Sequence, residues 1–421
     1  MSAFDKVIGY EAIKEELLQV CDMIRNRAIY EALGAQKVQG ILLYGEPGVG
    51  KSMMATAFLQ ESGLCTYTVR RNRPDGDFVK EIKNVFDAAA QHAPSVILLD
   101  DMDKFAADDN SSEELVAVQA CMDEVKPLEV YVIATANDPN DIPDSLLRAG
   151  RFDRKILVEC PTGADATAIV AYYMAGKRIA ADVNSEDVAK MLSGKSCAEL
   201  ETVINEAAVY AAYERKDSIG MPHLVKATLR GAYGITDCRR EITEEELEAI
   251  AYHEAGHAAM AEILREGSVG LLSVASERGS HCDGFMLRCE EFSRKIYYVL
   301  VSLGGKAAVE LRFGKVASGT DRDLDRACEY IGDSITSIGT MGLGLLDMDR
   351  YRSETPFLLS AQEQVVHAEM ERCLFKTKEI LCRNRGFLDA LAKALREKKT
   401  LLYSEVRAIR AAHNIQPAVV G

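Results

Sequence analysis

A chain of 421 residues, 48% apolar and 27% charged, holds enough material for two or three globular domains. Its formal net charge of -15 and the lack of any Lys and Arg run exclude a phosphate-neutralising surface, and with it nucleic acid as the main partner. The 11 cysteines form no C-x-x-C pair, which points to reduced thiols in a cytoplasmic compartment. No apolar run reaches the roughly 18 residues of a membrane span, and no secretory signal is present.

From the N-terminus, short β-rich runs at 40–44, 65–69, 96–99, 130–136 and 155–158 alternate with helical periodicity. This alternation predicts an α/β domain over 1–162, a parallel sheet with helices on both faces. Over 163–236 the β-rich runs stop and Ala- and Glu-rich stretches such as 198–213 predict a small helical domain. After a polar segment near 234–240, Thr243 with Glu246 three residues on reads as a capping box opening a helix that runs through Leu264. The rest of the third domain, 240–421, is predicted mainly helical. Leu374, Ile380, Leu381, Leu388, Leu391 and Leu395 recur at helical spacing and are expected to face its core.

Two motifs carry chemistry. Gly45-Glu46-Pro47-Gly48-Val49-Gly50-Lys51-Ser52 follows the apolar strand Ile41-Leu42-Leu43-Tyr44 and opens a helix. In that context the glycines let backbone N–H groups turn toward phosphates, Lys51 reaches the β- and γ-phosphates of ATP, and Ser52 holds Mg2+. A second strand ends in Asp100-Asp101, which places one acid near the magnesium and another where it orients an attacking water. A third strand ends in Asn137, an amide able to meet that water or the γ-phosphate. Arg148, Arg151 and Arg154 follow, guanidinium groups of the sort that stabilise a transferring phosphoryl group.

The second motif is His253-Glu254-Ala255-Gly256-His257. Spacing of four residues on a helix puts both imidazoles on one face, where they can share a tetrahedral Zn2+, with Glu254 beside them as general base. Ala255 and Gly256 are small enough for close packing behind the metal. A catalytic site needs a third protein ligand, for which His281, Glu310 and the acids Asp321, Asp323 and Asp325 are all candidates on pattern alone.

Taken in order, residues 4 to about 230 resemble the AAA+ ATPase family, with 163–236 as its helical lid. The resemblance implies that Arg151 and Arg154 act on the nucleotide of a neighbouring subunit in a homo-oligomeric, usually hexameric, ring. Asn137 would be the sensor, Asp100 and Asp101 the magnesium and water-activating acids, and Ile8 and Gly9 part of the nucleotide site. Most of the family has Glu where this chain has Asp101, so its carboxylate sits about one methylene farther from the water. The stretch 251–258, the segment Gly304 to Gly314, and Ser318-Gly319 with Asp323 are similar to the FtsH-type zinc metallopeptidase domain over about 243–412. That resemblance implies His253, His257 and Asp323 as zinc ligands and Glu254 as base. Glu310 falls where the family has an acidic residue near the metal, and is expected to support the ligands from outside.

The whole implies an ATP-dependent zinc endopeptidase that takes polypeptide substrates. An AAA+ remodelling ring or scaffold, with weak or ATP-independent peptidase activity, is the alternative. Two features depart from the family. Its membrane-anchoring segment has no counterpart here, and its aromatic-Val-Gly pore loop is matched by Pro74-Asp75-Gly76, a turn sequence. Phe78 either replaces the aromatic grip or is buried under the following helix. These departures favour soluble, loosely folded substrates.

Overall fold

The computed structural model describes residues 2–71, 77–105, 113–232, 234, 243–274, 281–283, 292–314, 321–336 and 356–418. The turn at Pro74-Asp75-Gly76 and the pair Ser318-Gly319 lie outside these, as does the side chain of His281. The chain divides into two compact units: Met1–Lys177 with Gly194–Asn205, and Arg178–Ser193 with Glu206–Gly421.

The first unit is built from α1 (Glu11–Arg25), α2 (Arg27–Ala32), β1 (Gly40–Tyr44), α3 (Lys51–Ser62), β2 (Cys65–Arg70), α4 (Phe78–Gln91), β3 (Ser95–Asp100), α5 (Glu113–Val125), β4 (Val130–Ala136), β5 (Arg154–Leu157) and α6 (Gly163–Ala175). All five strands are parallel, in the order β2-β3-β4-β1-β5. Because successive side chains of a strand point to opposite faces, the apolar runs feed two cores at once. Ile97 and Leu99 of β3 pack with Ile82, Phe86 and Val118 from α4 and α5. Val96 and Leu98 pack with Leu17 and Phe58 from α1 and α3. Phe78, the first residue of α4, is 8% exposed and edge-to-face with Phe105 at 5.0 Å, so its ring belongs to the core and offers no grip.

The second unit begins with α7 (Ser185–Met191) and takes the later part of α8 (Cys197–Tyr213), then α9 (Met221–Ala227) and α10 (Glu244–Leu264). It continues through β6 (Leu271–Ser273), β7 (His281–Asp283), α11 (Phe292–Ser302), α12 (Gly304–Phe313), α13 (Asp321–Thr336), α14 (Pro356–Arg383), α15 (Arg385–Lys398), β8 (Thr400–Leu402) and α16 (Tyr403–Ala411). The segment read as one helical lid is thus shared between the units, for visible reasons. At its start, α8 donates Ala198 N–H to Gly48 O of the first unit at 3.1 Å. In the second unit, Asp187 of α7 accepts Ser404 N–H and Oγ–H of α16, each at 2.8 Å. Lys190 donates to Gly267 O at 3.0 Å and lies 4.7 Å from the centre of the Tyr403 ring.

Helix α10 is the axis of this unit. Its capping box forms: Glu246 N–H donates to Thr243 Oγ1 at 3.2 Å, and Thr243 N–H to Glu246 Oε2 at 3.0 Å. Both sides are covered, by α12 and α15 among others, which is why its middle reads apolar all round. The stripe Ile380, Leu381, Leu388, Leu391 and Leu395 is buried in the same core, with Leu374 packed against it. The described part also contains a small antiparallel sheet, β7-β6-β8, which the sequence reading did not anticipate.

Candidate functional site

The nucleotide-type cavity opens at the carboxyl ends of the strands, where ligands of open parallel sheets are bound. The loop between β1 and α3 turns through Gly45, Gly48 and Gly50, with φ of 143, 81 and 104°. Side chains rarely adopt such values, and a Cβ on Gly48 would also press to 2.9 Å from Ala198. A cavity of about 610 Å³ follows, lined by Ile8, Pro47, Gly48, Val49, Gly50, Lys51, Ser52, Asp101 and Asn137 among others. Lys51 Nζ donates to Gly45 O at 2.7 Å, Glu46 O at 2.8 Å and Asn137 Oδ1 at 3.0 Å. Burial lowers its pKa, while Asp103 and Asp101 oppose the shift. Ser52 Oγ donates to Asp100 Oδ1 at 2.8 Å, and Asn137 Nδ2 to Asp103 Oδ2 at 2.8 Å. Gly9, with φ 71°, lies against the Asp165 carboxyl. Arg151 and Arg154 do not line the cavity. Arg151 Nη2 pairs with Asp123 at 2.7 Å, and Arg154 Nη1 with Glu16 at 3.6 Å.

In the second unit, α10 presents His253 and His257 one turn apart and α13 brings Asp323 to them. Asp323 Oδ2 lies 3.1 Å from His253 Nε2 and 3.3 Å from His257 Nε2, and the two Nε2 atoms are 3.1 Å apart. These three side chains form the only such group of potential metal ligands among the described residues. His257 Nδ1 lies 2.7 Å from Val301 O, which orients the ring and leaves Nε2 facing the group. Glu254 is 4% exposed, with Oε1 4.0 Å from His253 Nε2. Gly305, second residue of α12, closes the other side: a Cβ there would lie 2.5 Å from both His253 Cε1 and His257 Nε2. Behind the ligands Gly256 backs onto Gly304, where a Cβ would collide with the Gly304 carbonyl. The donor set, two imidazoles and a carboxylate around a space kept clear by glycine, fits a zinc ion.

Two stretches of the chain match known families: 41–160 the ATPase family associated with various cellular activities (AAA), and 240–409 peptidase family M41. The ATP-dependent zinc metalloprotease FtsH of Thermotoga maritima is 30% identical over 96% of this chain and 72% of its own length. The chain belongs to the FtsH family. FtsH of Leptotrichia buccalis is 30% identical over 99% of the chain, and that of Ureaplasma parvum 28% over 99%. The chain spans 58% and 62% of the length of these two relatives. Among the described residues of this FtsH-family chain, no helix is long and apolar enough to cross a membrane.

Of the three kinds of third ligand open on pattern, the fold brings Asp323 to the histidines. Glu310, expected to support the ligands from outside, is engaged by two lysines. Its carboxylate pairs with Lys306 at 2.7 Å and Lys378 at 2.5 Å, and these cations outweigh burial to hold its pKa down. Gly305 and Thr135 went unnoticed in the sequence. Paired glycines opening a helix, a poor choice on propensity, were the available signal for Gly305.

Electrostatics show what charge the second site lacks. Burial works against a charged His257, yet Asp323 and Glu254 beside it overcome burial and push the ring up to about 9. Burial likewise raises Asp323, but the two imidazoles outweigh it and hold the carboxyl well below its ordinary range. A metal ion binding at Nε2 therefore competes with the proton that Asp323 and Glu254 favour on His257. Zinc affinity is expected to rise about tenfold per pH unit through the neutral range, as one proton is released per ion. Competition against a chromophoric chelator at stepped pH measures this, and a flat profile would contradict it.

Proposed function

We propose that this chain is an ATP-driven zinc endopeptidase acting on soluble or loosely folded polypeptides. The observation that carries the reading is the convergence of His253, His257 and Asp323 with Glu254 at their side, in a chain that also holds a formed P-loop cavity. His253, His257 and Asp323 would hold zinc, which would supply a Lewis acid for the scissile carbonyl and for water. Glu254 takes the proton of the attacking water and returns it to the leaving amine. Val301 O keeps His257 in the tautomer that offers Nε2 to the metal.

In the nucleotide cavity, Lys51, now on the Gly45 and Glu46 carbonyls, would bind the β- and γ-phosphates, and Ser52 with Asp100 would hold Mg2+. Asp101 orients the water, Asn137 senses the γ-phosphate, and Ile8 and Gly9 border the nucleotide. Arg151 and Arg154 point to a homo-oligomer, a hexameric ring in which each serves the neighbouring subunit's nucleotide; their positions off their own cavity support this. The segments 1–162, 163–236 and 240–421 act as nucleotide-binding, lid and peptidase modules. A cytoplasmic setting accords with the free cysteines among the described residues. Buried Phe78, and a pore-loop sequence without an aromatic, support loosely folded substrates.

Casein degradation by the zinc-loaded chain is expected to require ATP, and a stably folded protein to be degraded slowly. Casein cleavage indifferent to nucleotide would sink the coupling. Rapid loss of the folded protein would sink the substrate preference.

A further inference from the structure

We infer that Thr135 is the positioning residue that aims Asp101 into the nucleotide cavity, making up in backbone geometry for a short acid. The inference rests on the proposed ATP hydrolysis and goes beyond it. The β3-β4 ladder ends at Leu99 and Ala134, so Asp100 and Asp101 lie past the last backbone pairing on that side. There the Thr135 hydroxyl takes over. Its Oγ1 accepts the Asp101 N–H at 2.8 Å and donates to Asp100 Oδ1 at 2.9 Å, using its proton and a lone pair together. The side chain is fully buried, so water cannot replace either bond.

Asp101 has φ 57°, a left-handed conformation that glycine adopts freely and asparagine and aspartate more often than other side chains, and the Thr135 bond holds it there. Held this way, Asp101 lines the cavity, with Oδ2 2.9 Å from Lys104 Nζ and 3.6 Å from Arg70 Nη2. Asp100 Oδ1 also accepts from Ser52 Oγ at 2.8 Å. One buried hydroxyl therefore ties the acid proposed for magnesium to the acid proposed for water.

The test is steady-state ATP hydrolysis by the full chain carrying Thr135→Val, Thr135→Ser, Asp101→Asn, or Thr135→Val with Asp101→Asn. Thr135→Val is expected to lower kcat about ten- to hundredfold, the cost of misplacing a reacting group by about an ångström, with KM for ATP changed less than about twofold. Thr135→Ser, which keeps the hydroxyl, is expected to restore kcat to within about threefold of the parent. Since Thr135 acts mainly through Asp101, Thr135→Val should cost markedly less in the Asp101→Asn background than in the parent, the remainder passing through its bond to Asp100. An unchanged kcat in Thr135→Val, or an equal loss in both backgrounds, overturns the inference while leaving the ATPase reading intact. Absence of ATP turnover in the parent overturns both. Thermal melting checks folding, and Thr135→Ala carries the same expectations if the valine variant does not fold.

Discussion

Glu254→Gln is expected to lower casein cleavage about a hundred- to ten-thousandfold, while zinc content and ATP hydrolysis stay at parental levels. The amide keeps the size of the carboxylate and cannot take a proton. Glu254 is nearly enclosed, 4% exposed, and no described residue other than Asp323 and the two histidines joins the metal-ligand group. Zinc measured by atomic absorption and phosphate release measured on the same preparation separate this result from a general loss of structure. Cleavage surviving in the glutamine variant with bound zinc would mean that another group moves the proton.

A smaller but still large loss is expected from the smallest change at Gly305. Adding one methyl group in Gly305→Ala places a carbon 2.5 Å from His253 Cε1 and His257 Nε2, well inside van der Waals contact. The rings can yield only by leaving the arrangement that faces Asp323, and His257 is itself anchored to Val301 O at 2.7 Å. Zinc affinity is expected to fall about ten- to hundredfold, the range seen when support around a metal ligand is disturbed, with peptidase activity falling in step. Excess zinc should restore part of that activity, whereas it should not rescue Glu254→Gln. Equal zinc affinity in Gly305→Ala would show that the ligands have room the geometry denies them.

Much of this architecture was legible because the signals were local. The central strands β1, β3 and β4 are largely aliphatic and β-branched, and all five strands fall within about a residue of the runs that placed them. The capping box at Thr243 and Glu246 marked the start of α10 for the same reason, since its hydrogen bonds close within one turn. What escaped was long-range or too short to have a pattern. Strands β6, β7 and β8 have three residues each, too few to show alternation. Asp323 could not be told from Asp321, Asp325, Glu310 or His281 by spacing, because its place beside the histidines depends on how α13 packs in the unit. The lysine partners of Glu310, Lys306 and Lys378, could not be read from the sequence either. Thr135 carried no motif, and its role depends on where the ladder between two distant strands stops.

The bond from α7 to α16 bears on where this protein can be divided. An isolated peptidase fragment cut at the family boundary near 240 would leave behind Asp187, and with it the carboxylate that receives the Ser404 amide and hydroxyl. It would also strip Lys190 from Gly267 and Tyr403, and remove the backbone against which Gly270 is packed. A fragment meant to stand alone is better assembled by grafting 178–193 onto the peptidase segment than by trimming at the conventional border. In this chain residues 178–193 wall the unit that carries His253, His257 and Asp323.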